Sequence, residues 1–185
     1  MSYEVYLVGG CVRDMLMGVE PQDRDYVVLG SSPEEMIRNG FSQVGESFPV
    51  FLKDGEEYAL ARREKKTGEG YVGFMFDWRD VSLDEDLERR DLTINSIAMR
   101  RMEDTEFFVE GDEGHFAVYD PFGGKDDILA KVLRHTSDAF MEDPVRVLRI
   151  ARFRARFGSD WTVAPETVAA VSRMSKKGVL SELKP

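Results

Sequence analysis

Two consecutive glycines, Gly9 and Gly10, close an apolar β-type run, Glu4-Val-Tyr-Leu-Val8, and two aspartates, Asp23 and Asp25, stand at the mouth of the next such run, Asp25-Tyr-Val-Val-Leu29. This stretch constrains the fold more than any other. A glycine pair after a strand demands a tight turn in which the backbone lies bare. Val12, Met15 and Leu16 then make a short helical stripe, Gly18 closes it, and Pro21 prevents its continuation. The order is strand, glycine turn, short helix, strand. Side chains two apart on a strand share a face, so Asp23 and Asp25 are expected side by side. Two such carboxylates repel unless a cation lies between them. Taken alone, Asp-x-Asp describes a solvated strand end. With the bare Gly9-Gly10 amides and the Arg13 guanidinium beside it, the stretch is equipped for a metal-bound triphosphate.

Downstream, Ser32-Pro33-Glu34-Glu35 starts a helix with a serine cap, a first-turn proline and early acids, reaching about Asn39-Gly40. Phe48 to Leu52 and Glu57 to Arg62 read as strands joined at Lys53-Asp54-Gly55. Residues 63–73 are charged and glycine-rich and read as a mobile loop. Residues 84–99 read as a helical unit with Leu87, Ile94, Ile97 and Ala98 buried and Arg89, Arg90, Asp91 and Asn95 polar. Residues 103–114 read as a surface hairpin between strands. Asp120 to Gly124 is a tight turn, followed by a helix from about Lys125 to Ala130 and a strand at Val132-Leu133-Arg134. From residue 137 the pattern is helical. Asp143-Pro144 opens a helix over Val145 to Phe157, with Val147, Leu148, Ile150, Ala151 and Phe153 as its buried face, and a last helix runs from Pro165 to about Ser175. The chain thus reads as α+β: a mixed sheet with helices on one side over residues 1–136, and a small helical part over 137–185 that must pack on the first for lack of a core of its own.

With a formal net charge of −10, the chain has no global basic field, so any nucleic-acid contact rests on a local strip, found at residues 146–156. Cys11 is the only cysteine, which excludes an internal disulfide and a cysteine zinc site and suits a reducing, cytoplasmic setting; its apolar neighbours make it a core filler. No signal-peptide pattern or membrane-length apolar run is present. His115 and His135 lack ligand spacing and read as structural or surface residues.

Three constellations carry chemistry. The first is Gly9, Gly10, Arg13, Asp23 and Asp25, to which a third carboxylate on a neighbouring strand would add: Glu57 is the choice, Glu56 the alternative. The second is Asp86 to Asn95, where adjacent arginines, an acid and an amide suit phosphate and sugar; ordinary ion pairs along a helix are the plain alternative. The third is Glu142 to Phe153. Arg146, Arg149 and Arg152 recur at every third position, one turn after Asp143. An acid accepts from an exocyclic amine and a guanidinium donates to ring acceptors, so the pair suits a base edge. The competing reading is a solvated basic face.

Leu7-Val-Gly-Gly-Cys-Val-Arg-Asp14 with Asp23-Arg-Asp25, Asp86-Leu-Glu-Arg-Arg-Asp-Leu-Thr-Ile-Asn95, Asp120-Pro-Phe-Gly-Gly124 and Glu142-Asp-Pro-Val-Arg-Val-Leu-Arg-Ile-Ala-Arg-Phe153 occur in this order and spacing. The chain resembles the class II, bacterial-type tRNA nucleotidyltransferases, the CCA-adding enzymes of the DNA polymerase β superfamily, along almost its whole length. The resemblance implies a polymerase-β-like nucleotidyltransferase head followed by the start of a helical neck. It implies that Asp23 and Asp25 hold Mg²⁺, that Gly10 and Arg13 form the triphosphate turn, and that Arg90 binds phosphate with Asp91 and Asn95 at the sugar. Asp143 and Arg146 would recognise C and A, with Arg149 and Arg152 facing the nucleotide. Residues 63–73 would be the element tied to the switch from CTP to ATP. The partners implied are CTP, ATP and the tRNA 3′ end.

Residues 103–114 are longer than this linker usually is. Family members also continue past the position of Pro185 into domains that hold the acceptor arm; a short natural homologue, the catalytic half of a longer protein and a subunit paired with a separate tRNA-binding chain are the alternatives here. Two rival readings stand beside CCA addition. One is a poly(A) polymerase-like 3′ adenylyltransferase. The other is a truncated nucleotide- or RNA-binding homologue, or a subunit of a split enzyme, without activity of its own.

Overall fold

The computed structural model describes residues 3–44, 50–66, 74–102, 109–111 and 114–183. Strand β1 (Glu4–Val8) runs into helix α1 (Gly10–Leu16), and β2 (Asp25–Leu29) returns beside β1. Helix α2 (Pro33–Arg38) begins at Ser32, whose hydroxyl accepts from the Glu35 N–H, and leads to β3 (Ser42–Val44), β4 (Val50–Lys53) and β5 (Glu56–Leu60). β6 (Arg63–Lys66) and β7 (Phe74–Asp77) pair as a separate antiparallel ribbon. Next come α3 (Leu83–Glu88), a 3₁₀ turn at Thr93–Asn95, β8 (Ala98–Met102), β9 (Val109–Gly111) and β10 (Gly114–Tyr119). Then follow α4 (Gly124–Ala130), β11 (Val132–Leu133), a 3₁₀ turn at Asp138–Glu142, α5 (Val145–Phe157), β12 (Thr162–Val163), α6 (Pro165–Lys176) and a 3₁₀ turn at Val179–Glu182.

Among the described residues, eight strands form one mixed sheet in the order β3-β4-β5-β2-β1-β8-β10-β9. Among the described strands of this sheet, only β2 and β5 run parallel; the other joins are antiparallel. Paired residues share a face. Leu7, Met99 and Phe116 therefore face one way, clustered with Cys11 and Val12 of α1, Ile128 of α4, Ile150 and Phe153 of α5, and Met174 of α6. Val28 and Leu60 continue that face under Met36 of α2. Val8, Val27 and Ala98 face the other way, where Leu87 of α3 and Val81 cover them. The mixed α+β sheet is as expected, with α3 the one helix among those described that lies on the second face. Phe153 and Met174 join the cluster of Leu7 and Val12, which is how the late helices find a core.

Several local expectations are corrected. The 84–99 unit is not one helix. A capping box between Ser82 and Glu85 starts α3, but the chain leaves it after Glu88, turns through Thr93–Asn95 and enters β8. The four expected apolar positions are buried, yet so are Asp86, Asp91 and Asn95. The 63–73 loop begins as strand β6, and residues 67–73 lie outside the described residues. Of the 103–114 excursion, β9 pairs with β10, while residues 103–108 and 112–113 lie outside. Phe48 and the side chain of His115 lie outside as well. On α5, Leu148 and Ala151 are exposed, and Ile150 and Phe153 carry the contact. β3 and β12 were not foreseen.

Asp120 shows why Asp120 to Gly124 must turn as it does. Its two carboxylate oxygens accept from the Gly124 and Lys125 N–H groups, each at 2.8 Å, starting α4. This seats Gly124 against the 93–95 turn so closely that a Cβ there would lie 2.2 Å from the Thr93 carbonyl oxygen. No described helix is long and apolar enough to cross a membrane.

Candidate active site

A cavity of about 540 Å³ opens where β1 ends and β2 and β5 begin. Three segments distant in sequence meet there. The first is the turn. Gly9 has φ of +76°, a conformation that L side chains resist, and a Cβ there would stand 3.1 Å from Arg90 Nη1 and 3.9 Å from Asp25 Oδ2. Bare backbone is thus required between a guanidinium and a carboxylate. Gly10 lines the same cavity.

The carboxylates follow from strand register. Asp25 and Glu57 are direct partners across the parallel β2–β5 pair, so their side chains project from the same face. Both line the cavity. The register also separates Glu57 from its rival. Glu56 faces the opposite side, where Tyr26 and Tyr58 donate their hydroxyl protons to its two oxygens at 3.1 and 3.2 Å. The two tyrosine rings stack at 4.6 Å. Burial raises the Tyr26 phenol to about 12, with the Glu56 carboxylate adding to the shift. Asp23 is not on the strand. It sits exposed in the bend before β2, and its charge reaches Asp25 from there. The Asp25 carboxyl is pushed above its ordinary value by burial and by Asp23, against the pull of the Arg90 guanidinium.

Arg90, in the second segment, is aimed by a residue that sequence reasoning passed over. The wholly buried Asp86 accepts at Oδ2 from Arg90 Nη2 at 2.9 Å and Nε at 3.3 Å, which leaves Nη1 at the Gly9 turn. At Oδ1 it accepts from Arg89 Nη2 at 2.6 Å and from the Arg62 N–H at 3.3 Å. Burial works to raise the Asp86 pKa, but Arg90 and Arg89 outweigh it and hold the carboxyl below the usual range. An acid followed by arginines three and four positions on, as in Asp86-Leu-Glu-Arg-Arg90, was the available signal.

Arg13 is 3% exposed. It donates to Asp14 Oδ1 through Nε at 2.8 Å and Nη2 at 2.7 Å, and to Asn95 Oδ1 through Nη1 at 2.6 Å. Its guanidinium carbon lies 5.2 Å from the Phe153 ring centre and 5.4 Å from that of Phe157. Asn95 in turn donates to Asp91 Oδ1 at 3.0 Å, and Arg149 pairs with Asp91 Oδ2 at 2.8 Å. Arg13, Asp91 and Asn95 therefore form a cross-braced floor of the cavity.

The third segment is the start of α5. The Val145 N–H donates to Asp143 Oδ1 at 2.9 Å, fixing the carboxylate at the helix entrance, while Asp143 Oδ2 lies 3.9 Å from Arg146 Nε. Both residues and Arg149 line the cavity. Arg152 does not; it is exposed further along the helix. Of the twelve residues expected at the site, Asp23 and Arg152 are thus the two outside its lining. Cys11 is buried and its thiol is pushed up by that burial, as befits a filler. His135 is structural, its Nδ1 2.8 Å from the Thr167 hydroxyl.

A glycine turn, a braced arginine and paired carboxylates at one end of a mixed sheet are the frame of an α+β nucleotidyltransferase fold, and the comparisons bear this out. Residues 5–134 match the family described as the poly A polymerase head domain, and the chain belongs to that family. It is 54% identical over 182 residues to the multifunctional CCA protein of Paraburkholderia phytofirmans, covering 97% of this chain and 42% of that one. Its identity to the multifunctional CCA protein of Burkholderia orbicola is 56% over 184 residues, covering 98% and 43%. A solved CCA-adding enzyme, apo form II, superposes with a TM-score of 0.73 at 29% identity, covering 97% of this chain and 42% of that one. The Bacillus stearothermophilus CCA-adding enzyme in complex with CTP does so with a TM-score of 0.64 at 31% identity, covering 91% and 38%. The chain spans less than half the length of these relatives.

Proposed function

We propose that this chain carries the catalytic centre of a CCA-adding tRNA nucleotidyltransferase, in which a tRNA 3′-hydroxyl attacks the α-phosphate of CTP or ATP and pyrophosphate leaves. The observation that carries the reading is the meeting of the glycine turn, the Asp25–Glu57 pair and the Asp143–Arg146 pair on one cavity. The turn amides and Arg90 bind the triphosphate. Asp91 and Asn95 stand beneath the sugar. Asp143 accepts from the exocyclic amine of cytosine or adenine, and Arg146 donates to the adjacent ring nitrogen, so a purine and a pyrimidine satisfy one pair.

The donor set suits Mg²⁺: hard carboxylate oxygens, among them Asp25, whose carboxyl burial and Asp23 push above its ordinary value. Among the described residues, no group of three His, Cys, Asp or Glu side chains is assembled to hold an ion. Mg²⁺ ordinarily takes one or two carboxylates and completes its shell with phosphate and water. Asp25 and Glu57, with Asp23 beside them, would hold it, and when bound it aligns the reacting groups and offsets the charge of the leaving pyrophosphate. Such a reaction belongs in the cytoplasm, with residues beyond this chain or a separate chain gripping the acceptor arm.

The test is incubation with tRNA ending before CCA, Mg²⁺ and each nucleotide. CTP alone should add C and the mixture should complete CCA. Extension by ATP with indifference to CTP would replace the reading with poly(A) synthesis, and nucleotide binding without product would replace it with a binding protein.

A further inference from the structure

Asp14 and Arg156 lie outside the cavity, yet they close a ring that passes through it. From α5, Arg149 pairs with Asp91, Asp91 accepts from Asn95, and Asn95 accepts from Arg13. Arg13 donates to Asp14 Oδ1, and Asp14 Oδ2 accepts from Arg156 Nη2 at 3.1 Å, back on α5. The ring thus grips α5 at two points two turns apart, with Arg13 held against the rings of Phe153, between them, and Phe157, just past the second. Two separated attachments fix both the axial position and the rotation of a helix, where one would leave it free to pivot. What α5 carries at its first turn is Arg146, with Asp143 bonded to the helix entrance through the Val145 N–H.

We propose that Asp14 and Arg156 are positioning residues for base selection. They hold α5 so that the Asp143–Arg146 pair presents one acceptor and one donor at a fixed distance from the triphosphate turn. The inference rests on the base-reading role proposed above for that pair. Selection between bases with opposite edges depends on placing donors and acceptors to within a fraction of a bond length. Binding of the triphosphate, shared by all four nucleotides, does not. Loss of the far clamp should therefore cost discrimination before it costs affinity for phosphate. Asp14 carries two arginines, so its neighbour Arg13 also loses its orientation if Asp14 is removed. Arg156, half-exposed, meets Asp14 at the end of the ring and lies over the Phe157 side chain at 5.7 Å.

The experiment compares the full chain with its Arg156→Ala, Arg156→Lys and Asp14→Asn variants. Equilibrium binding of CTP and UTP is measured with Mg²⁺, together with amide hydrogen exchange over α5. The unaltered chain should prefer CTP, because uracil presents a carbonyl where cytosine presents its amine. Arg156→Ala should narrow that preference about threefold while speeding exchange at the start of α5, and Arg156→Lys should restore most of both. Asp14→Asn should act in the same direction. An undiminished preference in Arg156→Ala and Asp14→Asn overturns the inference and leaves the base-reading role standing. An unaltered chain that binds CTP and UTP alike overturns the base-reading role and the inference with it, even where exchange in α5 accelerates.

Discussion

Asp86 and Asp25 sit on either side of Arg90 and have opposite electrostatic fates. Asp86 has no exposed surface, yet its carboxyl is held below the ordinary range, because two arginines meet its oxygens. Asp25 stands at the cavity mouth, yet its carboxyl is pushed up, because burial and Asp23 outweigh one arginine. The protein neutralises the first charge itself and leaves the second for something from outside. That difference separates framework from reaction centre more clearly than exposure does.

The largest effect expected from breaking this contrast is on Asp86. Asp86→Ala strands two arginines beside a closed space and should cost about 3–5 kcal/mol in urea unfolding. Asp25→Asn should leave the fold intact while incorporation of labelled CTP falls by about a hundredfold or more. A Asp25→Asn variant that unfolds as readily as Asp86→Ala, or that incorporates at the original rate, breaks the contrast. Gly124→Ala sharpens it from the framework side. The Cβ meets the Thr93 carbonyl, and an overpacking cost of about 1–3 kcal/mol should appear as a lower unfolding midpoint with the affinity for CTP retained in the folded fraction.

The smallest effect is one of pH. Asp25 has a folded pKa above its unfolded one, so its ionised form costs stability at neutral pH and that cost vanishes as pH falls below about 4. Asp25→Asn should then be more stable than the unaltered chain at pH 7, by less than about 0.5 kcal/mol after solvent screening, with the two converging in acid. Asp86 has the opposite sign: its stabilisation is full at neutral pH and is lost as pH falls through its lowered folded value. Unfolding midpoints measured from pH 7 to pH 3 distinguish the two.

Much of the site was legible because strands and helices translate spacing into direction. The early glycines placed a tight turn beside Asp25, but period-two alternation put Asp23 on its strand as well, where the structure leaves it in the bend before β2. The Asp143–Arg146 spacing put the acid at the entrance of α5 and the arginine on its first turn. What escaped was set by tertiary contact. Arg13 looks like a phosphate ligand in sequence, but its depth beneath the turn depends on Phe153 and Phe157. Asp86 looks like one acid among several at a helix start, and only burial makes it the anchor of Arg89 and Arg90. The helix that seemed to run on from Glu88 gives way where Leu92 joins His135 in an isolated bridge and the Thr93 N–H donates to the Arg134 carbonyl. Arg152 kept the three-residue rhythm of Arg146 and Arg149, but helical rotation carries it out of the cavity.

The clasp of Tyr26 and Tyr58 on Glu56 has a consequence for how the chain finds its fold. β2 and β5 are the one described parallel join in the main sheet, formed between segments separated by α2, β3 and β4, and such distant pairings close late and slowly. A slip of one residue in that join would turn Glu56 toward the cavity and Glu57 away, leaving a sheet of almost the same sequence character with the wrong carboxylate beside Asp25. The two stacked rings and their shared acceptor form only in the correct alignment. These contacts favour the correct alignment, and so help to set which carboxylate stands beside Asp25.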